Sequence, residues 1–179
     1  MARTITVDPL SRSSIENAVS ELRAYQVWVA QKTDELSEAL SRVGIFEASY
    51  RFSGAMYDGS NDVWVETSKD APGVYTITAH GKAVAFIEFG AGVYYNSGEY
   101  PLEKPAGIVG IGEYGNKNGK KRGWVYPAAK GLGSNGKLLG GRSSEWAFTR
   151  GNPQAMPMYY ASKEMQDKVL MVAREVFGE

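Results

Sequence analysis

The most regular pattern in the chain is an apolar residue every seventh position, at Ile15, Leu22, Val29, Leu36 and Val43. Val19 and Leu40 extend this stripe near its ends, and Gln26 and Thr33 interrupt it midway. Such spacing keeps the side chains on one side of a helix. Ser13-Ser14-Ile15-Glu16 offers a capping box at its start, and Gly44 is expected to end it. The helix would hold about 28 residues and reach ~40 Å. Two arrangements account for the stripe: a surface helix packed on a sheet, or a helix that shares part of the stripe with another subunit. Ahead of it, Thr4 to Val7 reads as a short strand or as an arm docking on a neighbour, closed by Asp8-Pro9.

Beyond Gly44 the period changes to two. Phe46, Ala48, Tyr50 and Phe52 alternate with Glu47, Ser49 and Arg51, which predicts a half-buried strand over Ile45 to Phe52. Val63 to Glu66 and Val74 to His80 read as two further strands, with turns at Asp58-Gly59 and Pro72-Gly73. Gly81 to Gly90 has the strongest strand character, being proline-free and rich in aromatic and β-branched residues. Val84 and Phe86 would face one way and Ala85, Ile87 and Phe89 the other, as in a central strand covered on both sides. His80-Gly81-Lys82 would be the tight hairpin leading into it. Short turns between strands argue for an antiparallel sheet.

From Gly90 through Gly151 the chain carries 15 of its 21 glycines and no clear helix. Aromatic anchors are present throughout this span, unlike in a disordered linker. Strands are expected at Ile108 to Ile111 and Gly123 to Tyr126. A second helix then opens at Pro157, with Met158, Ala161, Met165, Val169, Val172 and Val176 on one face. Lys163 with Asp167 and Glu164 with Lys168 would pair on the wet side, and Gly178 would close it. The pattern predicts an α+β fold: a small, mainly antiparallel sheet of about four or more strands, flanked by a long N-terminal helix and a C-terminal helix. One domain over residues 1–179 is expected, with 91–151 as an extended loop or hairpin insertion.

Composition narrows the chemistry. The 179 residues carry zero formal net charge, so no global field recruits nucleic acid or membrane. The absence of cysteine excludes disulfides and thiolate metal sites, and nothing asks for an oxidising compartment. No stretch is apolar enough to span a membrane, and the opening residues lack a signal-peptide core, so a cytoplasmic setting is expected. His80 is the only histidine, which removes metal or triad schemes needing two. Gly110-Ile-Gly-Glu-Tyr-Gly115 spells a dinucleotide fingerprint, and Gly131 to Lys137 nearly spells a phosphate loop. Neither is followed by a helix that would turn its amides toward a phosphate. No catalytic residue, cofactor or metal ligand is expected.

Two features remain. Glu88 lies amid apolar residues, and is either buried and paired or placed at a subunit contact. From Tyr114 to Ser144 there are seven basic residues and no acidic one: Lys117, Lys120, Lys121, Arg122, Lys130, Lys137 and Arg142, with Trp124 and Tyr126 close by. A solvated loop, contact with DNA backbone and contact with an acidic protein ring all fit this run.

Ile87-Glu88-Phe89-Gly90, together with Gly151-Asn152-Pro153-Gln154-Ala155-Met156-Pro157-Met158-Tyr159-Tyr160-Ala161, resembles the tail-completion, or head–tail joining, proteins of long-tailed bacteriophages. Order and type of elements resemble that family over nearly the whole chain. The resemblance implies a non-catalytic virion protein, of phage or prophage origin, assembled in the bacterial cytoplasm and residing at the neck. It would form a ring, typically a hexamer, that caps the tail tube and meets the head connector while DNA passes through its lumen. Interface residues would then include Ile15, Leu22, Val29, Leu36, Glu88, Phe89, Gly90, Pro157 and Met158. Lys117, Lys120, Lys121, Arg122, Trp124, Lys130, Lys137 and Arg142 would face the lumen or a partner. The competing expectation is a DNA-binding module that grips duplex through residues 114–144.

Overall fold

In a computed structural model, the described residues are 4–55, 61–91, 100–103, 123–130, 132, 136–140 and 145–178. The fold is α+β, as expected. A helix α1 spans Arg12–Ser53, and strands β1 (Trp64–Ala71) and β2 (Val74–His80) form an antiparallel hairpin through the Pro72-Gly73 turn. Helix α2 covers Val84–Phe89. Strands β3 (Trp124–Pro127), β4 (Lys137–Leu138) and β5 (Trp146–Thr149) make a second antiparallel sheet, with β5 in the middle. Helix α3 runs over Pro157–Phe177 and closes on Gly178. The five strands are thus divided between two sheets. β3 lies where a strand was expected, whereas the Asp58-Gly59 turn and the strand at 108–111 fall outside the described residues.

The long helix does not stop at Gly44. It continues for nine residues through the stretch whose alternation suggested a strand. Buried positions in this part are Ser41, Gly44, Ala48 and Phe52, a helical spacing written largely in small residues. Phe46 and Tyr50, expected to share a face with Ala48 and Phe52, are instead 73% and 69% exposed. Glu47 and Arg51 pair across one helical turn at 2.5 Å. Gly44 survives inside the helix because β2 and α3 press against it. A Cβ there would stand 2.5 Å from Ile77 Cδ1 and 2.6 Å from Met165 Sδ. Its helical cost, about 1 kcal/mol, is offset by that close approach. The start also differs: Ser11, not Ser13, is the N-cap, accepting from the Ser14 amide at 3.3 Å, while Glu16 pairs with Arg12.

Gly81–Gly90, expected as the central strand, is a turn and a six-residue helix. Asp62 accepts from the amides of Lys82 and Ala83 at 2.9 and 3.1 Å, holding the chain in a turn just ahead of α2. Helical geometry then places Ala83 and Ile87 on one face, four residues apart. Both enter the core cluster with Ala48, Phe52 and Ala161. A strand would have sent Ala83 and Ile87 to one face while turning Glu88 to the opposite one, with no route to the partners described below. Burial overrides β propensity here. β2 therefore ends at His80 and does not continue into a hairpin.

Helices α1 and α3 are antiparallel: Arg51 lies 4.1 Å over the Tyr160 ring at one end, and Trp28 meets Phe177 edge-on at 5.8 Å at the other. The β1–β2 hairpin is tied to α1 through Asp34, which accepts from Lys69 Nζ at 2.6 Å and the Gly73 amide at 2.8 Å.

Gly44→Leu is expected to lower stability by ~1–3 kcal/mol through overpacking against Ile77 and Met165. Urea unfolding measures this, and an unchanged midpoint would contradict the close packing. Hydrogen bonds from Lys82 and then Ala83 hold the Asp62 carboxyl below its ordinary value of 3.8. A depressed carboxylate contributes stability above its unfolded pKa and loses it as pH falls through the folded one. The wild type should therefore lose more stability between pH ~6 and ~3 than Asp62→Asn does, as read from unfolding midpoints at the two pH values.

Candidate functional site

Helix α3 begins with a problem. Its N-cap is Met156, in a left-handed conformation (φ 52°), and no side chain of its own caps the first turn. Pro157 has no N–H to satisfy, which leaves the amides of Met158 and Tyr159. Both donate to Glu88, at 2.8 Å to Oε2 and 3.1 Å to Oε1. The Tyr100 hydroxyl donates to the same carboxylate at 2.5 Å. Glu88 is 3% exposed, and its negative charge sits at the positive end of the α3 dipole. The alternative left open by the sequence is resolved inside the chain: Glu88 is buried and paired.

The surrounding backbone reinforces this junction. Ala155 and Met156 amides donate to the carbonyls of Ile87 and Glu88, and Ala91 and Asn152 exchange a pair of hydrogen bonds at 2.9 and 3.0 Å. Gly90 adopts φ 77°, and a Cβ there would lie 2.8 Å from the Gln154 nitrogen. The two sequence passages that carry the family resemblance are therefore one contiguous piece of structure. Phe89 packs edge-on against Tyr100 at 4.8 Å. Burial first, and then the bond to Glu88, push the Tyr100 phenol above its ordinary range.

These contacts sort the expected interface residues. Glu88, Phe89, Gly90 and Pro157 are buried within the chain and form its internal junction. Val29 and Leu36 are half-buried, and Met158 partly lines a groove between α1, β2 and α3. Ile15 and Leu22 are exposed. They belong to the part of α1 before Trp28 that runs past the end of α3, where Val19, Tyr25 and Val27 are exposed as well. Of the expected cationic loop, Lys117, Lys120, Lys121, Arg122 and Arg142 lie outside the described residues. Trp124 is half-buried in β3, Lys130 ends a short 3₁₀ turn, and Lys137 is exposed in β4.

Among the described residues no group of acidic, histidine or cysteine side chains could hold a metal ion, and no helix is long and apolar enough to cross a membrane. His80 stacks on Trp64 at 5.0 Å and contacts Glu66 at 2.8 Å on the β hairpin. No family model, no characterised protein and no solved structure matches the chain.

At this junction two things escaped the sequence reading: the helical state of α2, and the service Glu88 performs for α3. A signal for the second existed. Asn152 to Met156 supplies no N-cap next to Pro157, so the first amides of α3 needed an acceptor from elsewhere. A glutamate set among apolar residues is a natural donor of that acceptor.

Glu88→Ala is expected to cost ~2–4 kcal/mol by leaving two amides and a hydroxyl without their acceptor, and Glu88→Gln about half as much. Tyr100→Phe should cost ~1–2 kcal/mol. Urea unfolding of the three variants gives the order, and a wild-type midpoint for Glu88→Ala would contradict the cap.

Proposed function

We propose that this protein is a structural subunit that caps a phage tail tube and joins it to the head connector as an oligomeric ring. The observation that carries the reading is the free end of α1. A ~63 Å helix is far longer than its partner α3 requires, and the surplus bears an apolar stripe. Exposed contiguous apolar surface of this kind marks a site of protein association. In a ring each subunit uses two different patches, one meeting the other on the next copy. The internal junction at Glu88 supports the reading in a second way, since it unites the Glu-Phe-Gly turn with the proline-led helix on which the family resemblance rests. The span between Gly92 and Arg150, which carries the β3–β5–β4 sheet as well as the glycines, aromatics and basic run, is assigned to a neighbour or to the lumen.

Electron microscopy of lysates from the parent phage or prophage with this gene deleted tests the role. Packaged heads beside unattached tails are expected. Intact infectious virions would overturn the reading and favour direct duplex binding, with the steep salt dependence that phosphate contacts impose. Deletion of residues 116–122 is expected to lower the titre of infectious particles, and a wild-type titre would remove the loop from the joining surface.

A further inference from the structure

The groove between α1, β2 and α3 encloses about 560 Å³ and is mostly apolar, floored by Leu40, Ile77, Ala161 and Met165. Five consecutive residues of the hairpin, Gly73 to Ile77, line it. A groove lying on one face of a strand would touch alternate residues only. Contact with five in a row means that the groove opens on the strand's outer edge. β2 has one neighbour, β1, so among the described residues that edge pairs with no other strand. An open edge beside an apolar groove is the arrangement that accepts an added strand: its backbone supplies hydrogen bonds and the groove takes alternate side chains.

The chain contains a segment with the matching pattern. Thr4-Ile5-Thr6-Val7 alternates polar and apolar residues, is not part of any strand, and leads through Leu10, which is 95% exposed, into α1. This arm cannot reach its own groove. Arg12 and Ser37 are separated by ~37 Å of rigid helix. The four residues 8–11 that tether Val7 to the helix span at most ~14 Å. A groove on a second copy is the one that remains within reach. Area agrees with this occupant. Val7, Leu10, Ile15, Val19 and Leu22 are all exposed on the arm and on one side of the free end of α1. Together they offer on the order of 500 Å², more than half of the ~800 Å² that each partner brings to an interface of standard size.

We infer that the arm of one copy adds as a strand to the free edge of β2 in the next copy, seating Ile5 and Val7 in the groove, while the exposed stripe of α1 packs alongside. The contact is heterologous, because arm and groove are different patches, so it propagates from copy to copy and closes into a ring when the rotation allows. The inference rests on the ring reading above for its setting, and its test is separate from the gene deletion.

The chain lacks cysteine, which makes cross-linking clean. A Val7→Cys, Val74→Cys double variant treated with a short bismaleimide should give a denaturant-resistant ladder extending beyond the dimer. Val7→Cys alone should stop at dimers, and Val7→Cys with Leu170→Cys, distant on α3, should not build the ladder. In light scattering of the full chain, Ile5→Asp with Val7→Asp should raise the concentration needed for association at least tenfold. Circular dichroism should stay unchanged, because Val7 is about half exposed and Ile5 lies outside the buried core. Association of copies without the 7–74 ladder would overturn the arm contact and leave the ring reading standing. A monomer at all concentrations up to ~1 mM would overturn the arm contact too.

Discussion

The carboxylate of Glu88 is the interaction on which the rest of the structure depends. A helix that opens on Pro157 without a capping side chain needs an acceptor for its first free amides, and that acceptor must come from another part of the chain. Glu88 provides it, and in doing so it binds α2 to α3 at a fixed distance. With that distance set, Ile87 and Ala83 turn into the cluster of Ala48, Phe52 and Ala161. The charge also makes the position unforgiving. A buried carboxylate is tolerable only while its oxygens are occupied, and here two amides and the Tyr100 hydroxyl occupy them. Tyr100 in this way ties the segment beyond α2 to the helical layer.

The long helix shows how local signals can agree with one another and still mislead. Ile45 to Phe52 alternates as a strand should, yet the same residues satisfy a helix whose buried face holds Gly44, Ala48 and Phe52. Small side chains carry little hydrophobic signal, so the stripe that mattered was faint, while the bulky Phe46 and Tyr50 were on the wet side. Gly44 looked like a stop and is instead a point of contact for Ile77 and Met165. Elements whose signals came from turns and large periodic residues were legible: the Pro72-Gly73 hairpin, β3, and α3 with its proline start and glycine close. α2 was illegible because its helical state comes from the Asp62 bonds and from burial, neither of which has a local period. At the candidate site, the uncapped start of α3 was legible as a missing acceptor, but that Glu88 supplies it was not, since nothing in the sequence says that α2 and α3 meet.

The molecule divides into a satisfied end and an unsatisfied one. Around Glu88 the carboxylate, the first free amides of α3 and the Tyr100 hydroxyl are paired, and Ile87 and Phe89 are buried. At the opposite end α1 leaves α3 behind, and Val7, Leu10, Ile15, Val19, Leu22, Tyr25 and Val27 stand largely in solvent. Marginal stability leaves little reason for a lone subunit to hold a helix in that state, because the apolar stripe gains nothing until something covers it. An assembling protein has that reason. The proposed ring and its arm-to-groove contact both rest on reading this end as half of an interface.

The central claim is that the chain is a stoichiometric part of the particle. Quantitative mass spectrometry of purified virions, using isotope-labelled peptides from α1 and α3, measures it directly. The account predicts a fixed, ring-sized number of copies per virion, retained in isolated tails. Absence of the chain from virions, or a copy number that drifts with purification, would contradict it.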